Sequence, residues 1–382
     1  MSLQIDLASQ FRQSLTQLDP LSPGPQVQLT NTRSQSARLT ATLTPAGPVE
    51  LRLGWEVESA GVQTPAFAVA GVLTAASDLK NDTARAFAQV SWKPDPRFSL
   101  EAGEALEELG VSAQGAAGGG ATYVYLTPRI AGTVTPWADA ALTFSAERAV
   151  TAPNAAQFVS FIQAAGRRGA GGFQPDLEWR YVVGLKQTLG GAVSVSASLT
   201  QADLQSVADL GRVGVGQASV SIGAAGRRRV DVAVTAPLTL PGLPAAWFRA
   251  SVDWLASEIT DSFTGARRPI SGDAAYKAEL NLSGALRIAP ITWALKVQFI
   301  GPQAVYQMSQ VNLISPTAGL GGTIGYRAGA VRLGLQLDNI VGGARTNTSL
   351  TYAGSRAFNL QNGERQTHDD GRGVRFTLTR TL

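Results

Sequence analysis

The sequence offers few side chains suited to acid–base or metal chemistry. It has one histidine, His368, and no cysteine in 382 residues. His368-Asp-Asp370 places an imidazole beside two carboxylates, donor types found in metal sites and in general acid–base pairs. Either use needs further partners converging from elsewhere in the fold. The polar, Gly-rich surroundings read instead as a solvated loop tip, so the sequence predicts no catalytic residue, no metal site and no cofactor, and a protein that is not an enzyme. Gly118-Gly-Gly120 has the composition of a phosphate cradle, but no Lys-Ser/Thr pair follows and no helical pattern begins, so it reads as a loop. What remains is recognition. Arg167-Arg168, Arg227-Arg-Arg229 and Arg267-Arg268 could face an anionic solute, since a guanidinium forks onto carboxylate and phosphate oxygens. Contact with lipopolysaccharide, or plain solubility, is the competing use of such loop charges. Asn154, Gln157, Phe158 and Phe161 lie in the longest irregular stretch, where they either touch a ligand or pack the loop on itself. The ligand-contact candidates are therefore Arg167, Arg168, Phe158, Phe161, Arg267 and Arg268.

The elements that would position these residues are strands. In the stretch from Arg229 to Pro237, Val230, Val232, Val234 and Ala236 share one face. After the break at Pro241-Gly-Leu-Pro244, Phe248, Ala250, Val252, Trp254 and Ala256 alternate with Arg249, Ser251, Asp253 and Ser257. A polar connection from Ile259 to Gly272 leads into Tyr276, Ala278, Leu280 and Leu282, which alternate with Lys277, Glu279, Asn281 and Ser283. A period of two gives each strand one apolar and one polar face. Short breaks recur near residues 46, 95, 134, 190, 241, 289, 315 and 342, and long ones near 70, 113, 162, 210, 265 and 363. The breaks near 302 and 328 are short where the alternation calls for long ones. Tight turns at one rim and long loops at the other mark a transmembrane β-barrel.

Composition agrees. Charged residues are 16% of the chain and the net charge is +4, too mild and dispersed for a nucleic-acid partner. No apolar run approaches the roughly 20 residues of a membrane helix. A chain that crosses a membrane without such helices does so as a closed barrel. The fold expected is all-β, an antiparallel transmembrane barrel of roughly 16–18 strands. Residues 1–35 form a polar segment without a decisive pattern, and 36–382 form the barrel. With that many strands the lumen is too wide for side chains to fill, so the apolar face belongs against lipid and the charged face in water. The first residues, Met1-Ser-Leu-Gln-Ile-Asp-Leu7, lack a basic region followed by a sustained apolar core, so no signal peptide is expected there.

Several segments resemble the barrel portion of TonB-dependent outer-membrane receptors. They are Leu142-Thr-Phe-Ser-Ala-Glu-Arg-Ala-Val150 with Gln157-Phe-Val-Ser160; Phe173-Gln-Pro-Asp-Leu-Glu-Trp-Arg-Tyr-Val-Val-Gly-Leu-Lys186; Ile259-Thr-Asp261; and Thr264-Gly-Ala-Arg-Arg-Pro-Ile-Ser-Gly272. Leu337-Asp-Asn-Ile340, Tyr352-Ala-Gly-Ser-Arg356 and the final Val374-Arg-Phe-Thr-Leu-Thr-Arg-Thr-Leu382 continue the resemblance. It departs where Val183 stands in place of a usual Glu and where the last residue is Leu rather than an aromatic. The resemblance implies a Gram-negative outer-membrane location, contact with lipid and lipopolysaccharide, and uptake of a siderophore-like or other scarce solute. It also implies a plug and an energy-coupling box, reached by a TonB-type protein, that have no counterpart in this sequence. Family barrels have about 22 strands, so the resemblance leaves two readings, a barrel of roughly 16–18 strands or an incomplete 22-stranded one. A plugless, passive porin-like channel is the alternative; an outer-membrane barrel enzyme, against which the near absence of His counts, comes third, and a soluble β-rich protein last.

Overall fold

The computed structural model describes residues 2–17, 27–45, 47–64, 68–69, 72–73, 77–114, 119–151, 158, 161, 173–213, 216–240, 243–286, 290–342, 344–369 and 371–380. Among these, seventeen strands join in one sheet, one of them only the pair Arg267–Arg268. That number lies inside the expected range. No helix among the described residues is long and apolar enough to cross a membrane. The chain divides into two compact units. The first is Met1–Thr133, Ser145–Tyr181 and Asp203–Ala225; the second is Val134–Phe144, Val182–Ala202 and Gly226–Leu382.

In the first unit the strands Ser2–Gln17, Val27–Leu43, Val49–Thr64, Ser77–Asp95 and Phe98–Gln114 pair antiparallel, each with the next. Residues 1–35, undecided from sequence, thus supply one whole strand and the start of a second. Two tight reversals of this unit meet at one rim, where the Lys93 amide donates to the Pro48 carbonyl at 2.8 Å. The register places Ile5, Leu39, Trp55, Ala86 and Leu106 side by side across five strands. One residue along, on the opposite face, it places Asp6, Arg38, Glu56, Arg85 and Glu107 in a row. Directly opposed side chains in a ladder lie close enough to interact, and here neighbouring signs alternate. Arg38 pairs with Glu56 at 2.8 Å, and Arg85 with Glu107 at 3.2 Å. Gly54 sits within this face, opposite Phe87. A Cβ there would lie 2.2 Å from the Phe87 ring, so only glycine leaves room for the ring that Arg38 and Arg85 flank.

The second unit repeats the segregation. Ala236, Phe248, Leu282, Leu295, Gly322, Leu337 and Val374 form a row across seven strands. The opposite face carries Arg249, Lys277, Glu279 and Lys296, with Lys296 paired to Glu279 at 2.6 Å. The reversals at 286–290 and 329–330 share a rim, because the Arg327 amide donates to the Pro290 carbonyl at 3.1 Å.

By sequence Ala304 to Val311 and Thr346 to Tyr352 also alternate and read as further strands of the wall, but the structure places both elsewhere. Ala304 to Val311 is not one strand but parts of two, Gln303–Tyr306 and Gln310–Ile314, joined by a tight turn. Ala344–Tyr352 pairs with Leu360–Asp369, and all four strands make a separate small sheet. Wall strands and excursion strands share the same period of two, so alternation alone does not separate them. With these strands removed from the wall, the anomaly near 302 and 328 disappears. Residues 301–316 and 339–372 become long excursions, and 329–330 becomes a tight turn.

Candidate functional site

The second unit concentrates its buried charge where strand Leu243–Thr260 gives way to the connection ending at Tyr276. Asp261 opens that connection. Its Oδ1 accepts from the Phe263 amide at 2.8 Å and the Thr264 amide at 3.0 Å. Its backbone carbonyl accepts from the Gly265 amide at 2.9 Å, and Gly265 takes a φ of +71° that a side chain would resist. This tight Asx-type turn brings Arg268 back beside Ile259 in antiparallel register. Arg268 Nε then donates to Asp261 Oδ2 at 2.5 Å. Arg356 arrives from the 353–359 segment, with its Nη2 2.5 Å from the same oxygen. The three side chains are 1%, 5% and 6% exposed for Asp261, Arg268 and Arg356.

Two guanidiniums on one carboxylate leave a cationic excess, and an aromatic face takes it up. Tyr306, from the small sheet, lies with its ring centre 4.5 Å from the Arg268 guanidinium and 5.3 Å from that of Arg356; Phe263 lies 5.5 Å from Arg356. Planar, delocalised arginine suits both the fork and the stack, which lysine does not. Arg356 also donates through Nε to the Gln307 carbonyl, and its amide donates to the Met308 carbonyl at 2.8 Å. The Tyr306 amide donates to Ser271 Oγ at 3.3 Å. One cluster thus fastens three separate excursions, 261–275, 301–316 and 353–359. Burial alone would raise the Asp261 pKa, but hydrogen bonds from Arg268, the Phe263 amide, Arg356 and the Thr264 amide together hold it below the ordinary value. This knot is a fastener rather than a proton-transfer site.

The first unit fastens its long connection differently. Phe158 and Phe173 are wholly buried and Phe161 nearly so, packed with Val111. Phe158 meets Phe173 edge-on at 5.9 Å, and Phe161 lies 5.4 Å from Phe173. The Tyr123 hydroxyl donates to the Phe173 carbonyl, Ser206 Oγ to the Pro175 carbonyl at 2.5 Å, and the Ala208 amide to Asp176 Oδ1 at 2.6 Å.

The candidates from sequence therefore separate. Phe158 and Phe161 face inward in that cluster. Arg268 is buried in the Asp261 knot, whereas Arg267 is 77% exposed and pairs with Glu258. Arg167, Arg168, Asn154 and Gln157 lie outside the described residues. His368 is exposed and stands opposite Arg345 in the small sheet. Among the described residues no three His, Cys, Asp or Glu side chains converge as metal ligands. Asp261, Arg356 and Tyr306 were not singled out from the sequence. The only signal was that Asp261 and Arg356 stand in segments that carry the family resemblance.

No family model matches the chain and no curated protein matches it in sequence. Its fold, however, is shared with solved outer-membrane receptors. The copper transporter OprC superposes with a TM-score of 0.67 at 14% identity, over 100% of this chain and 62% of that one. The ferric yersiniabactin uptake receptor FyuA of Yersinia pestis gives 0.64 at 14%, over 99% and 58%. The FrpB iron transporter of Neisseria meningitidis gives 0.65 at 11%, over 99% and 60%. The chain spans about six-tenths of the length of these structures. The fold is that of the barrel portion of TonB-dependent receptors.

Proposed function

We propose that the chain forms the wall and loop end of a TonB-dependent outer-membrane transporter that takes up a scarce nutrient. The observation that carries this reading is the segregation of faces. Rows such as Ala236–Phe248–Leu282–Leu295–Gly322–Leu337–Val374 run unbroken by charge, while the opposite face of the same strands carries ions. An apolar surface of that extent is stable against lipid and a liability in water. Ion pairs on the other face suit a wet interior. OprC and FrpB are transporters of copper and iron, which supports a metal or metal-chelate cargo. Arg267 is the described candidate for contact with an anionic solute, and Arg167 and Arg168 share that role. Lipid and lipopolysaccharide surround the wall, and a TonB-type protein couples energy through a plug rather than through these strands.

Cell fractionation and electrophoresis test this. Expected are recovery in the detergent-extracted outer membrane, a band whose mobility changes on boiling, and nutrient uptake that stops when the proton-motive force is collapsed. Recovery in the soluble fraction without detergent would sink the membrane reading. A large, steady conductance in a planar bilayer with no energy dependence would replace it with a passive porin-like channel.

A further inference from the structure

The small sheet has one face that serves two purposes. At one end Tyr306, opposite Val311, stacks on the arginines of the Asp261 knot; two residues along, Ala304, Leu313, Thr348 and Arg365 stand in a row across the four strands. That row lines a cavity of about 630 Å³. Leu255 and Ser257 of strand Leu243–Thr260 form the facing wall, with Ala275 and Pro302 beside them. The walls are zipped together by backbone hydrogen bonds: Leu255 amide to Ala275 carbonyl at 2.9 Å, Gly272 amide to Ala304 carbonyl at 2.9 Å, and Ser315 amide to Thr346 carbonyl at 2.8 Å. The cavity is therefore held open by the fold, and its size falls in the range that encloses a small organic molecule.

Its electrostatics are one-sided. Two charged residues line it, Asp273 and Arg365. Asp273 is neutralised by Arg227, whose Nη2 lies 3.3 Å from Oδ2. Arg365 forms no ion pair among the described residues, and it stands directly opposite Thr348, whose hydroxyl can add a second donor. We infer that this cavity binds a small amphipathic carboxylate, its apolar body over Leu313, Leu255 and Pro302 and its carboxylate on Arg365 and Thr348. Arg365 is exposed, and its guanidinium fork matches a carboxylate in plane while the ligand's apolar body lies along the apolar wall. That such a molecule is cargo rests on the transport reading above; that it binds does not.

The test is isothermal titration calorimetry on the full chain in lipid nanodiscs, with 1-naphthoate and the neutral 1-naphthylmethanol as probes and empty nanodiscs as the blank. Saturable heat for 1-naphthoate above the blank, with the alcohol at least about tenfold weaker, is the expected result. Arg365→Gln should erase the acid's advantage, and Leu313→Trp should abolish binding of both probes while the band remains heat-modifiable. No saturable heat for the acid, or equal affinity for acid and alcohol in the unaltered protein, overturns the assignment without any variant having to fold. Because binding is read without transport, a bound probe in a chain that fails the uptake test refutes only the transport reading.

Discussion

The two units fasten their long connections with opposite chemistry. The first buries Phe158, Phe161 and Phe173 together, a contact without direction whose strength follows area removed from water. The second buries Asp261 between Arg268 and Arg356, a contact that is strong only when every donor is in place. The apolar cluster can lose a side chain and partly collapse around the gap. The ionic knot cannot, because each charge is costly alone and tolerable only in company. The trade is specificity: the forked arginines and the Tyr306 face fix how three excursions stack, which greasy contact alone does not dictate.

The largest effect should come from Asp261→Ala. It strands two buried guanidiniums, at a local cost of about 3–5 kcal/mol. Hydrogen exchange should quicken together at 261–275, 303–314 and 353–359, with the wall strands unchanged. Loosening confined to one excursion would show that the knot does not couple them. Phe173→Ala should cost about 3 kcal/mol and raise exchange at residues 173–177 without touching the second unit's excursions. Faster exchange in both units would erase the contrast.

Acid should separate the two fastenings more gently. Asp261 sits below its ordinary carboxylate pKa of 3.8, so its contribution is fully present above that value and lost as pH falls through the lower, folded one. Protection of the three excursions should hold from pH 7 to about 5 and fade only below about 4, while the packing of Phe158, Phe161 and Phe173 on one another, whose side chains do not titrate, should not respond. Loss of the knot's protection by pH 5 would contradict the depressed carboxylate. The smallest effect belongs to the exposed charge row. Glu56→Gln removes the central anion between Arg38 and Arg85 and should lower the denaturation midpoint by the equivalent of about 0.5–1 kcal/mol, since both pairs are screened by water. A larger loss would mean the row is less wet than its exposure suggests.

Much of the wall was legible because its information is local. Alternation over a few residues fixes which side chains share a face, and Pro/Gly breaks such as Lys93 to Arg97 mark reversals without reference to the rest of the chain. The same locality misled at Ala304–Val311, where a short excursion strand alternates as a wall strand does. It also left residues 1–35 open, since Ser2–Gln17 is polar enough to be recognised only by its partner, Val27–Leu43.

The candidate site depended on what the sequence does not contain. Two neighbouring arginines in a strand must point to opposite sides, so the sequence by itself determined that Arg267 and Arg268 differ in environment. Only the pairing of Ile259 with Arg268 decided which of them is buried. Only the tertiary structure brought Arg356 and Tyr306 to Asp261, and Arg365 to Leu255. Side-chain period is a property of neighbours along the chain, whereas charge pairing and enclosure are properties of neighbours in space.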